Sequence, residues 1–361
     1  MRHYHVALLP GDGIGQDVVA EGVETLTLLA QARGDFRLDL ESFDWSCAYY
    51  LQHGRMMPPD ALKTLEEFDA IYLGAVGFPG VLDHESLWGM LLPIRQSFDL
   101  YVNMRPIRLL PGTEGPLRGR GADDINFVCI RENTEGEYAG VGGRLRQGAP
   151  DEVALQTSVY TRPATERIIR YAFELARREG RRKVTSATKS NAQQYGMVFW
   201  DEVHAAVAAD YPDIATEKWH VDALAARFVT HPQTFDVVVA SNLFGDILTD
   251  IGGALQGSLG IPPSANLHPD PATRRGPALF EPVHGSAPDI AGKGIANPIA
   301  AIWSAQLMLD YLGERDAAAT LMRAIEAVTA AGQVRTPDLG GRATTHEMGE
   351  AVRAALQKQY A

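Results

Sequence analysis

Short apolar runs alternate with amphipathic helical stretches along the whole chain, and this alternation restricts the fold to the α/β class. Residues 6–9, 70–73, 126–130, 184–187 and 237–240 read as buried strands. The first is followed by a helix over 18–29, whose apolar positions recur every three to four residues. A second helix over 165–178 places Ile168, Ile169, Ala172, Leu175 and Ala176 on one face. Residues 153–160 alternate instead and follow a Gly-rich stretch over 140–148, which suggests a hairpin arm. The C-terminal third is helical over 298–312, 315–330 and 346–359. Residues 111–121 and 261–277 are rich in Gly and Pro and read as surface loops or domain crossings.

The 361 residues suffice for two domains or one large one. The formal net charge of −12 weighs against nucleic acid, whose binding relies on Lys and Arg, and against an anionic membrane surface. No apolar run reaches the length of about 18 residues that a membrane helix needs. Met1-Arg2-His3-Tyr4-His5 leads straight into the first strand with no signal-peptide core. Two cysteines, Cys47 and Cys129, make neither a disulfide framework nor a multi-Cys zinc site, so a reducing cytoplasmic compartment is expected.

Several segments carry chemistry. Leu9-Pro10-Gly11-Asp12-Gly13-Ile14-Gly15 lies between a strand and a helix, where backbone N–H groups can hold an anion. Its spacing is not G-x-G-x-x-G, and a tight turn requiring Gly is the simpler reading. Arg95, Arg105 and Arg131 offer planar forks for carboxylates. Taken singly, each arginine reads more simply as a surface ion pair, and Tyr138, by itself, as a packing residue. Asp246 and Asp250 stand at i, i+4 after the strand ending at Ala240. Such a pair repels unless a hard divalent cation takes it, or faces solvent. A third acid, Asp222, follows the strand expected over 216–221. Lys189, in Thr188-Lys189-Ser190-Asn191, sits at a strand's C-terminal end, where α/β proteins place active sites, unless it is a plain surface lysine. The run from Phe280 to Pro298 combines Gly turns, His284 and Asp289, an acid suited to a ribose diol. Asn297-Pro298 reads as an N-cap followed by Pro at the first helical position.

Taken together, these segments resemble the β-decarboxylating dehydrogenases of 2-hydroxy acids, the isopropylmalate/isocitrate dehydrogenase family, over essentially the whole chain. The resemblance implies a two-domain fold that is not Rossmann, with the active site in the interdomain cleft. A cofactor-binding domain would comprise 1–103 and 255–361, and a central domain 104–254 would hold the dimer interface and arm. Arg95, Arg105 and Arg131 would bind substrate carboxylates, with Tyr138 and Lys189 as the acid–base pair. Asp222, Asp246 and Asp250 would hold Mg²⁺ or Mn²⁺. Ile14, Leu73, Glu281, His284, Gly285, Ser286, Ala287, Asp289 and Asn297 would line an NAD site. K⁺ is a further cation the resemblance allows. The family is normally homodimeric with shared active sites, so Lys189 and Asp222 would come from the neighbouring subunit.

The stretch before Arg95 departs from isopropylmalate dehydrogenases, which are expected to carry Glu where Trp88 stands, and the Ser/Asn pair of isocitrate enzymes is also missing. Ser86-Leu87-Trp88-Gly89 and Thr188–Gln193 look like the tartrate and D-malate branch. Trp88 would close the space a C3 isopropyl group needs, leaving a small dicarboxylate as substrate. Lys189 would take the C2 hydroxyl proton, and Tyr138 would assist protonation at C3 after CO₂ leaves. The alternatives are a 3-isopropylmalate dehydrogenase and a non-catalytic regulatory subunit, although the latter should lack part of the Arg/Tyr/Lys/Asp set.

Overall fold

The structure is a computed structural model and describes residues 1–360. Its strands, in chain order, are β1 (Arg2–Gly11), β2 (Phe36–Ser42), β3 (Ala70–Ala75), β4 (Val102–Arg108), β5 (Asn126–Glu132) and β6 (Gly136–Leu145). They continue with β7 (Val153–Val159), β8 (Lys183–Thr188), β9 (Ala215–His220), β10 (Val237–Ala240), β11 (Pro263–Leu267) and β12 (Ala278–Pro282). The chain forms two compact units. One comprises Met1–Leu100, Pro106–Ile125 and the residues from Gly253 onward; the other comprises Tyr101–Arg105 and Asn126–Gly252.

In the first unit the strand order is β2-β1-β3-β12-β11. The β1 pairings with β2 and β3 and the β3–β12 pairing are parallel, whereas β11 and β12 are antiparallel. Strands from both chain ends therefore share one layer. The helix Gly15–Arg33 buries Val18, Val19, Leu26 and Leu29 and ends at Gly34, whose φ of 68° supplies the left-handed cap. Residues Pro106–Ile125, expected with the central part of the chain, pack with the chain ends. Arg108 pairs with Glu326 there, and a Cβ on Gly112 would meet the Thr329 carbonyl oxygen at 2.1 Å.

The second unit orders its parallel strands β5-β10-β8-β9. The helix Arg162–Arg178 buries the five-residue face expected of it, but starts earlier because the Thr161 hydroxyl caps it, accepting from Ala164 N at 3.3 Å. The arm expected over 153–160 is β7, and its antiparallel partner β6 runs through the Gly-rich stretch. Two expectations need correction. The loop assigned to 261–277 contains the fully buried strand β11. Pro263 opens it, where a missing N–H costs little. The C-terminal helix Ile299–Tyr311 has Pro298, not Asn297, at its N-cap, yet the Asn297 side-chain oxygen still accepts from Ile299 N at 3.0 Å. No helix among the described residues is long and apolar enough to cross a membrane.

His204, on the helix Gly196–Ala208, is buried, and burial lowers its pKa from 6.5 to about 4. A base held neutral in this way stabilises the fold above its unfolded pKa, and the contribution is lost as pH falls through the folded value. Denaturation midpoints should therefore drop between pH 6.5 and about 4, and His204→Asn should flatten that slope.

Candidate active site

The second unit holds seven of the expected site residues and gathers five of them around Asp246. Arg131, at the C-terminal end of β5, is 3% exposed. Its Nε and Nη2 donate to the Asn242 side-chain oxygen at 3.0 and 2.7 Å, and its Nη1 donates to Asp246. Arg105, on β4, donates to the Thr249 hydroxyl at 2.6 Å and lies 3.5 Å from the same Asp246 carboxylate. Tyr138, on β6, donates to the other Asp246 oxygen at 3.1 Å, and the Arg131 guanidinium sits 5.5 Å from its ring centre. Gly245 makes this convergence sterically possible: a Cβ there would meet the Arg131 stem at 2.6 Å.

Asp246 and Asp250 both lie on the helix Asn242–Leu255. Burial, and next the charge of Asp246, hold the Asp250 carboxyl above its ordinary range, while the Arg105 and Arg131 guanidiniums oppose that shift. Burial and Asp246 likewise raise the Tyr138 phenol, which keeps it protonated and able to donate. Behind them, the buried Cys129 thiol is pushed up to about 12 and is inert as a nucleophile. Two carboxylates one turn apart are oxygen ligands of the kind a hard divalent cation takes, and here the Asp246 carboxylate accepts from Arg105, Arg131 and Tyr138. Asp222 is placed apart from them. Lys189 donates to it at 2.6 Å, and this hydrogen bond lowers the Asp222 pKa. Among the described residues the one triad of metal-ligand spacing is Glu21, Glu24 and His346, and Arg353 already pairs with both glutamates.

The remaining residues expected at a site belong to the first unit. Arg95, 4% exposed, pairs with Glu281 at 2.7 Å, and Glu281 also accepts from Asn266 at 2.8 Å. None of the three arginines is thus a surface ion pair. The glycine loop does more than turn the chain. Ile14 N donates to the Ser286 carbonyl at 2.9 Å, and a Cβ on Gly13 would meet that oxygen at 2.0 Å. The Asp12 carboxylate accepts from Cys47 N and Gly77 N, each at 3.1 Å. Leu73 is buried on β3. His284 contacts the Gly285 carbonyl at 2.9 Å, and desolvation lowers its pKa, favouring the neutral ring. Ala287 holds a φ of 42°, a strained value for a residue with a side chain. Asp289 is exposed, and Asn297 donates to Asp338 at 2.9 Å. Trp88 is 42% exposed in a π-helical turn, Leu87–Leu91, a deformation often found at functional sites. Gly89 in that turn leaves room for Met56, which a Cβ would meet at 2.5 Å.

Sequence reading missed Asn242, Thr249 and Asp338. Asn242 stands at i, i+4 to Asp246 and Thr249 follows at i+3, so a helical polar stripe was the available signal for these two. Nothing local points to Asp338.

The profile described as isocitrate/isopropylmalate dehydrogenase matches residues 5–352. The chain belongs to this family. It is 53% identical over 356 residues to a probable tartrate dehydrogenase/decarboxylase of Agrobacterium vitis, covering 99% of this chain and 97% of the relative. It is 53% identical over 359 residues to the decarboxylating D-malate dehydrogenase of Escherichia coli strain K12, covering 98% of each. Among solved structures, isocitrate dehydrogenase from Methylococcus capsulatus superposes with a TM-score of 0.86 at 36% identity, covering 98% of this chain and 99% of that one. The expected α/β isopropylmalate dehydrogenase-like fold and the family resemblance both hold. In this family member the Gly11–Gly15 loop braces the segment around Ser286.

Proposed function

We propose that this family member oxidises and decarboxylates a small 2-hydroxy diacid, D-malate or tartrate, with NAD⁺ and Mg²⁺ or Mn²⁺. The observation that carries the reading is the convergence of Arg105, Arg131 and Tyr138 on the Asp246 carboxylate. Buried guanidiniums recognise carboxylates, and a protonated phenol beside them can supply a proton. The tartrate and D-malate names of the relatives support the substrate class.

In this reading Arg95, Arg105 and Arg131 orient the diacid, and Asp246 and Asp250, with Asp222, hold the cation. When bound, the cation supplies Lewis acidity toward the C2 oxygen, and NAD⁺ supplies a hydride-accepting ring. Lys189 removes the C2 hydroxyl proton. Tyr138 donates to C3 as CO₂ departs, so D-malate yields pyruvate. Ile14, Leu73, Glu281, His284, Gly285, Ser286, Ala287 and Asn297 line the NAD site, and Asp289 favours a free ribose diol over a 2′-phosphate. Trp88 excludes a bulky C3 substituent. Lys189 and Asp222 are paired to each other rather than to the Asp246 cluster, which accords with their serving the site of a second copy in a homodimer. The two buried free thiols suit a cytoplasmic protein. The test is turnover by the purified protein with D-malate, NAD⁺ and Mn²⁺, following NADH and CO₂ together.

A further inference from the structure

Glu137 precedes Tyr138 on β6 and has no part in the chemistry above. One of its carboxylate oxygens accepts from the Tyr160 and Ser241 hydroxyls, each at 2.9 Å. The other accepts from Leu243 N at 3.0 Å. Leu243 lies in the first turn of the helix Asn242–Leu255, where N–H groups lack helical partners and an anion is favourable. Asp246, in the same helix, takes the Tyr138 hydroxyl. Two residues adjacent in sequence therefore grip one helix at two points, Glu137 through its first turn and Tyr138 through a carboxylate further along. Tyr160 follows the end of β7, the partner of β6, and Gln156 on β7 donates to the Glu137 carbonyl at 3.3 Å. The single Glu137 side chain thus ties both arms of the hairpin to the start of the helix.

We propose that Glu137 is a positioning residue for Tyr138, locking β6 to that helix so that the phenol keeps its place beside Asp246. The inference rests on the reading of Tyr138 as the proton donor. Side-chain placement errors of about 1 Å can cost a hundredfold in rate, which sets the scale. The experiment compares E137A, E137Q, Y138F and the double variant E137A/Y138F, using the full chain with D-malate, NAD⁺ and Mn²⁺.

E137A should lower kcat by about ten- to a hundredfold, with the KM for NAD⁺ unchanged. E137Q should recover most of the loss, because its amide oxygen can still accept from Leu243 N and its NH₂ can donate to the hydroxyls. In the Y138F background, E137A should cost less than about twofold more, the signature of two residues acting through one group. Losses that multiply, or an E137A kcat equal to wild type, overturn the proposal. Y138F with full turnover would instead refute the role of Tyr138 itself. Should E137A not fold, Y160F removes one of the three hydrogen bonds and serves in its place. It should lower kcat severalfold and add nothing to Y138F, and an unchanged kcat would contradict the proposal.

Discussion

Lys189→Met is expected to lower kcat by about a thousandfold or more, within the range that a lost general base costs. Lys189 follows the last residue of β8, and its Nζ donates to Asp222 at 2.6 Å. Met matches the length and apolar stem but has no lone pair to accept a proton. Lys189→Arg should not rescue, because a guanidinium does not release its proton near neutral pH. Stability should hardly move. The Asp222 side chain is 68% exposed, and surface pairs of this kind contribute little. Steady-state kinetics with a parallel thermal melt decide it: the KM for NAD⁺ and the melting temperature stay put while kcat collapses. Near-normal turnover in Lys189→Met would remove this residue from the mechanism.

Chelation is expected to abolish turnover, and Mn²⁺ or Mg²⁺ to restore it. Asp250→Asn should then need more than about a hundredfold more cation, since even outer-sphere partners of a metal cost 10–100-fold. The same variant should behave oppositely without metal. Asp250 is held above its usual pKa by burial and by Asp246, so neutralising it relieves repulsion between like charges, about 0.2–0.5 kcal/mol at this spacing. Apo Asp250→Asn should therefore melt no lower than wild type, while its stabilisation by Mn²⁺ shrinks. Half-saturation by Mn²⁺ at the wild-type concentration would show that Asp250 is not a ligand.

How far the sequence could be read depended on whether a feature is local. The buried face of Arg162–Arg178 follows from periodicity, and the strands β3, β5 and β10 from short continuous apolar runs, because burial on one face or on both imposes these patterns directly. β11 was hidden because Pro-Ser-Ala-Asn-Leu contains no β-branched residue, and its burial comes from its neighbours. The i, i+4 spacing of Asp246 and Asp250 was visible, but the anchors of Arg131 and Arg105 on Asn242 and Thr249 come from a segment more than a hundred positions away. The Arg95–Glu281 pair spans 186 positions and has no local signature. Asp12 shows the same limit: a turn was read where a carboxylate accepts from two distant backbone N–H groups. The net charge of −12 likewise described the surface, and the substrate reading rests on local arginines.

The most direct test is a side-by-side measurement of kcat/KM for D-malate, tartrate and 3-isopropylmalate with NAD⁺ and Mn²⁺, recording NADH and CO₂. A small diacid should be strongly preferred, and D-malate should give the two products in equal amounts. A strong preference for 3-isopropylmalate would contradict the role given to Trp88, and no turnover of any of the three would contradict the account as a whole.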